Sequence, residues 1–99
     1  MRYVFEWDPD KAHGNQRRHG IRFDQAATVF HDPHALSIFD DDHSHTEDRW
    51  VTLGLDQAGR LLTIIHTFQT LEPMVCRIRL ISARKATRRE QQHYTEGVR

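Results

Sequence analysis

Hydrophobic and polar positions alternate along this chain in two periods. Together they predict a strand, two helices, four further strands and a closing helix. Tyr3 to Trp7 is aromatic and β-branched, as a short strand requires. Asp8-Pro9 follows as a helix start, with Asp8 to cap free N–H groups and Pro9 at the first helical position. That helix should run to about His19 and stop at Gly20, although Ala12 is nearly its only apolar residue. Phe23, Ala26, Ala27 and Phe30 recur at helical spacing and predict a second helix, ended by Asp32-Pro33. Ala35 to Phe39 suits a strand, and Asp40 to Asp48, with no apolar residue, suits a solvated loop.

The firmest β pattern comes next. Trp50 to Leu55 and Leu61 to Phe68 flank Asp56-Gln57-Ala58-Gly59, a hairpin turn with glycine near its end. Leu61 to Phe68 is apolar on both faces, as in a central strand. From Val75 to Ile81, Cys76, Ile78 and Leu80 point one way and Arg77 and Arg79 the other. A last helix is expected from Ser82 or Ala83 to about Glu96, with Ala83, Ala86, Glu90 and His93/Tyr94 inward. The order β-α-α-β-β-β-β-α with short turns predicts an α+β domain of two layers. Its sheet should be an antiparallel meander with the helices on one face.

The 99 residues suit a single domain, and no repeat or linker divides them. The single cysteine, Cys76, excludes an internal disulfide and a cysteine-rich zinc module, and it fits a reducing cytoplasm. No apolar run approaches the roughly 18 residues of a membrane span, and Met1 to Trp7 does not resemble a signal peptide. A cytoplasmic protein that does not enter membranes is therefore expected.

The formal net charge of zero hides an asymmetry. Asp40, Asp41, Asp42, Glu47 and Asp48 crowd one loop. Arg77, Arg79, Arg84, Lys85, Arg88, Arg89 and Arg99 crowd the C-terminal quarter against only Glu90 and Glu96. Such a basic stretch is either a solvated face or a footprint for a polyanion such as RNA.

Arg77 and Arg79 share one strand face, and Arg84 lies just beyond at the expected strand-to-helix junction. Guanidinium groups there can clamp a phosphate, and His66 on the neighbouring strand can exchange a proton near neutral pH. Those are the parts for metal-free RNA cleavage through 2′-hydroxyl attack. The same residues also suit an ordinary half-exposed strand with a histidine bonded at the core. Lys11, Asn15 and His19 fall along one helix face, either to bracket a ligand or as a solvated helix whose Asn15 bonds to backbone. His31, His34, His43 and His45 surround the acidic loop, but the short His43-x-His45 spacing lacks a second element to fix a metal, so no metal is assigned.

Two stretches carry a family likeness. The first is Phe5-Glu6-Trp7-Asp8-Pro9 through Lys11, Asn15 and Arg18-His19-Gly20 to Phe23 and Ala26-Ala27. The second is Arg77-Ile78-Arg79-Leu80-Ile81-Ser82-Ala83-Arg84-Lys85-Ala86-Thr87-Arg88-Arg89-Glu90, and Glu47-Asp48-Arg49 leading into a strand that ends at Gly54 agrees with both. With these motifs the chain resembles the BrnT family of toxins from bacterial type II toxin–antitoxin pairs, from about Phe5 to Tyr94.

The resemblance implies a RelE-like fold with a curved antiparallel sheet. It implies a ribonuclease that needs no metal or other cofactor and inhibits translation. Its expected partner is a BrnA-like antitoxin with a ribbon-helix-helix module, through which alone the toxin reaches operator DNA. Joined to the chemistry above, it gives Arg84, Arg79, Arg77, His19, Lys11 and His66 as expected catalytic residues. Arg49, Lys85, Arg88 and Arg89 are expected to contact RNA. The alternative is a non-catalytic module that binds RNA or a partner. Gln69 to Met74 departs from the family pattern by lengthening the connection before the last strand.

Overall fold

The first strand, β1 (Arg2–Glu6), turns Tyr3 and Phe5 inward and leaves Arg2 and Glu6 exposed. The structure is a computed structural model that describes residues 1–97; Arg99, counted above with the basic residues, lies outside them. α1 (Pro9–His19) begins as the sequence predicts. Asp8 caps it by accepting the Asp10 N–H at 2.9 Å, and Pro9 opens the first turn. It ends at Gly20, whose φ of 69° is the left-handed conformation that a β-carbon disfavours.

The second predicted helix is shorter than its pattern suggests. α2 (Phe23–Ala26) tightens at once into a 3-10 segment, Ala27–His31. Its apolar residues still face inward. Ile21, Phe23, Ala26, Ala27 and Val29 join Leu62, Ile64, Ile78, Leu80 and Ala83 in the core. Each large side chain buried there stabilises the fold by about 1.5–3 kcal/mol.

β2 (Leu36–Phe39), β3 (Arg49–Leu55) and β4 (Leu61–Thr67) form the expected antiparallel meander. The β3–β4 turn closes with the Asp56 N–H donating to the Arg60 carbonyl at 2.9 Å, and Gly59 has φ 82°. The Asp56 carboxylate accepts the Ala58 and Arg60 N–H groups and the Arg60 guanidinium.

β5 (Gln69–Glu72) uses the long connection as a hairpin arm against β6 (Val75–Lys85). The order across the sheet is β1-β6-β4-β3-β2, with β5 also paired to β6. The sheet is mixed, because β1 runs parallel to β6. Parallel neighbours so far apart in sequence need a crossover, and α1 to β5 supply it.

The C-terminal boundary differs from the expectation. The chain stays extended through Ser82, Ala83 and Arg84 to Lys85, and α3 runs only over Arg88–Gly97. Alanine and arginine favour helix locally, but tertiary partners outweigh that preference. One is β4, with Leu62 opposite Lys85 and Ile64 opposite Ala83. The other is Asn15 on α1. Its Nδ2 donates to the carbonyls of Ala83 and Ile21, both at 2.9 Å, and its Oδ1 accepts the Ala83 N–H at 3.0 Å. The fully buried amide thus pairs with Ala83 as a neighbouring strand would. α3 starts instead at a capping box. The Glu90 N–H donates to Thr87 Oγ1 at 3.2 Å, and the Thr87 N–H donates to Glu90 Oε1 at 2.8 Å.

Nor do the helices share one face. α1, α2 and the 3-10 segment cover the core face. α3 lies against the other, where a β-carbon on Gly97 would sit 3.3 Å from Leu36. Tyr94 ties it to the sheet edge by donating its hydroxyl to Asp32 at 2.6 Å. Burial and Asp32 push that phenol up to about 12. Burial also acts to raise the Asp32 pKa, but N–H groups of Leu55 and His34 and the Tyr94 hydroxyl hold it below its ordinary value. No helix among the described residues is long and apolar enough to cross a membrane.

Replacing Asn15 by Leu leaves three backbone groups without their partner. Each such buried group costs about 1–3 kcal/mol, so a loss of about 3 kcal/mol or more is expected. Urea unfolding of Asn15→Leu against Gln16→Ala checks this, the exposed Gln16 being expected to change stability by less than about 0.5 kcal/mol.

Candidate active face

The face of the sheet away from the main core carries the arginines, and a β-bulge decides which. Ile65 pairs with Ser82, but His66 pairs with Leu80, so Ile81 is an extra residue in β6. Before the bulge, Arg77 and Arg79 alternate with the buried Ile78 and Leu80; after it, Arg84 alternates with the buried Ala83. The extra residue shifts the alternation by one. Arg84 therefore stays on the face of Arg77 and Arg79 despite its even number.

Each of the three is held by a carboxylate from a different element. Parallel pairing sets Glu6 of β1 opposite Arg79 and beside Arg77, and Arg77 Nε lies 3.6 Å from Glu6 Oε2. That ion pair falls short of a hydrogen bond, and the buried Nε–H has no acceptor among the described residues. Arg77 Nη1 also reaches Gln69 Oε1 at 3.5 Å. Arg79 donates to Glu47, in the loop before β3, and Arg49 Nε lies 4.0 Å from the same carboxylate. The Arg79 N–H is fixed by Thr67 Oγ1 at 3.3 Å. Glu6, Glu47, Asp48, Thr67, Phe68, Gln69, Arg77 and Arg79 enclose an open cleft of about 270 Å³. Arg84 sits farther along the face, bidentate to Glu90 at 2.8 and 3.1 Å. The Arg84 hydrogen bond draws the Glu90 carboxyl down to about 2, against the effect of burial.

This arrangement, charged donors beside carboxylates on an open sheet face, can bind a phosphodiester and move a proton. Residues 7–90 match the family described as ribonuclease toxin, BrnT, of type II toxin-antitoxin system. The chain belongs to the BrnT family. Its fold is similar to the crystal structure of the Brucella abortus ribonuclease toxin, BrnT, with a TM-score of 0.63 at 19% identity over 89% of this chain and 100% of that one. No curated protein sequence matches the chain.

Within this BrnT chain the residues expected to act together are only partly gathered. Arg77, Arg79 and Arg84 share a face, with Arg49 beside the cleft. His66 does not share it. It lies on the core face in register with Trp50 and Leu80, 2% exposed and edge-on to Phe30 at 4.8 Å. Strand alternation alone puts it on the wrong side, since Thr67 rather than His66 faces the arginines. Its Nδ1 bonds to the Thr67 carbonyl at 2.9 Å and its Nε2 to Thr52 Oγ1 at 2.6 Å, and burial lowers its pKa despite the Thr67 bond.

Lys11 and His19 are exposed on α1, and among the described residues neither makes a side-chain hydrogen bond or ion pair. Lys85 is exposed at the end of β6, and Arg88 and Arg89 are exposed on α3. No group of three or more His, Cys, Asp or Glu that could hold a metal occurs among the described residues; His43 pairs with Asp40 at 2.9 Å.

The carboxylates were the residues that sequence reasoning missed. Glu90 was legible in Thr87-x-x-Glu90, a capping-box spacing. Glu6 and Glu47 carried no such mark, because one depends on the parallel pairing and the other on a loop.

The Glu90–Arg84 pair should show itself in stability against pH. A carboxyl lowered from its ordinary 4.5 to about 2 contributes stability above about pH 4.5 and loses it as the pH falls toward 2. Wild type should therefore exceed Glu90→Gln in urea resistance at about pH 6, and the gap should narrow by about pH 3.

Proposed function

We propose that this BrnT-family toxin cleaves RNA at the Arg77–Arg79 cleft without a metal and so inhibits translation. The observation that carries the reading is the Arg77 Nε–H, buried 3.6 Å from Glu6 Oε2 in the cleft that Glu47 also lines, with no hydrogen-bond acceptor among the described residues. Unpaired buried donors are rare in native proteins, and a phosphate oxygen would satisfy this one. An entering phosphate competes with Glu6 and Glu47 for the guanidinium groups. A carboxylate so displaced stays beside the 2′-hydroxyl and takes its proton. The 2′-oxygen then bonds to phosphorus, and the arginines stabilise the crowded phosphorane. The P–O5′ bond breaks, the 5′-oxygen takes a proton from solvent at the cleft mouth, and a 2′,3′-cyclic phosphate remains.

Arg84, its fork occupied by Glu90, extends the phosphate-binding face together with Arg49 and, on α3, Arg88 and Arg89; Lys85, opposite the core residue Leu62, falls on the other side of β6 and stays an outlying candidate. Lys11 and His19 stay as outlying candidates on α1. The core-face His66 is proposed for no proton transfer in the cleft.

The partner proposed is a BrnA-like ribbon-helix-helix antitoxin, which would cover the arginine face and carry the toxin to operator DNA. The carboxylate partners of the arginines also favour a second reading, a non-catalytic module, because they oppose RNA binding at rest. Kinetics separate the two. Arg79→Ala should lower the single-turnover cleavage rate about 10²–10³-fold. Arg79→Lys should recover part, since Lys keeps the charge without the fork. Arg88→Ala, the same charge change on exposed α3, should leave turnover of bound RNA unchanged. Activity should persist in EDTA. Unaltered turnover of bound RNA in Arg79→Ala, with the fold intact, would remove the cleft from catalysis.

In cells, expression of the chain alone should arrest bacterial growth, and co-expression of the antitoxin should restore it. Normal growth with verified folded protein would count against a toxin.

A further inference from the structure

A second cleft, of about 220 Å³, lies on the other side of the sheet edge from the arginines. Tyr3, Phe30, Ser37, Trp50, His66 and Phe68 line it. Phe68 also lines the arginine cleft, so the two cavities adjoin at this residue. The rings form two groups, Tyr3–Phe30–His66 and Trp50–Phe68, brought side by side by the register of Trp50 opposite His66. Phe30 lies 6.0 Å from Tyr3 and 4.8 Å from His66, and Trp50 lies 6.4 Å from Phe68. Phe68 is 38% exposed and its ring is free to meet a ligand.

The polar floor of this cleft has a defined direction. The Thr67 carbonyl can only accept, so His66 Nδ1 carries the proton and Nε2 accepts from the Thr52 hydroxyl. Thr52 Oγ1 in turn accepts from Ser37 Oγ at 2.8 Å. The exposed Ser37 oxygen is left as an acceptor at the cleft lip. Both nitrogens of His66 are engaged, so it offers the cleft only its ring.

We propose that this cleft is a nucleobase site, taking one unstacked base of single-stranded RNA whose adjacent phosphate lies on Arg77 and Arg79. The proposal rests on reading the arginine cleft as the phosphate site. Flat aromatic walls with the Ser37 acceptor at the lip fit a heterocycle that stacks on its faces and donates an N–H from its edge. The volume suits one such ring system, below the roughly 300–1,000 Å³ of clefts that hold larger ligands. An apolar anchor from a protein partner would gain nothing from the Ser37 acceptor or from the arginines across Phe68.

The test uses 2′-O-methyl oligonucleotides, which bind but lack the attacking hydroxyl, and the same strands without bases. Affinity is read by fluorescence anisotropy for wild type, Phe68→Ala and Ser37→Ala, with circular dichroism to confirm the fold. Stacking predicts that Phe68→Ala weakens binding of the based strand about 5- to 100-fold. Ser37→Ala should weaken it by a smaller factor, and the base-free strand should bind wild type and both variants alike.

Unchanged affinity of Phe68→Ala for the based strand, or an equal loss for both strands, would overturn the base site. Loss of antitoxin binding with RNA binding intact would overturn it too, in favour of a protein anchor. The two readings also fail separately. Phe68-dependent binding without cleavage of ordinary RNA leaves the base site standing and removes the ribonuclease mechanism. Cleavage with Phe68-independent binding does the reverse.

Discussion

The pairing of one buried side-chain amide, Asn15, with the backbone of Ala83 is the contact on which the rest of the structure depends. β1 covers β6 only as far as Arg79, so the later half of β6 has no strand on that side. An exposed edge there would leave N–H and C=O groups unpaired. Asn15 supplies both missing partners, and through Ile21 it fixes the turn after α1 as well. Ala83 is thereby held extended, which places the bulge at Ile81, the start of α3 at Thr87 and Arg84 on the arginine face.

That face is charged but not simply positive. Glu6, Glu47 and Glu90 each neutralise an arginine, and each comes from a different element. Exposed pairs of this kind add little stability, about 0–1 kcal/mol. Their effect here is to hold the guanidinium groups in place on the face. On the function proposed above, a phosphodiester, or a carboxylate from a partner protein, would exchange with these carboxylates.

Histidine abundance draws attention away from this chemistry. The buried member, His66, belongs to a hydrogen-bonded chain with Thr52 and Ser37 among aromatic rings, and burial favours its neutral form. The exposed ones lie on α1, around the acidic loop or, as His93 does, on α3. The two clefts differ in surface type, charge on one and aromatic area on the other, and Phe68 at the edge lines both.

The sequence by itself determined much of this protein. Capping at Asp8-Pro9, the stop at Gly20, the β3–β4 hairpin, the α+β class and the family are all written in local pattern, because caps, turns and alternation act over a few residues. So was the shared face of Arg77 and Arg79. Tertiary structure alone decided the parallel pairing of β1 with β6, the extension of β6 through residues that prefer helix and the placement of α3 on the second face. It also decided the side of the sheet on which His66 lies relative to the arginines, and the carboxylate that meets each arginine. Those outcomes depend on contacts between residues as far apart as Asn15 and Ala83, where pairing of buried backbone groups outweighs the few tenths of a kcal/mol that local propensity supplies.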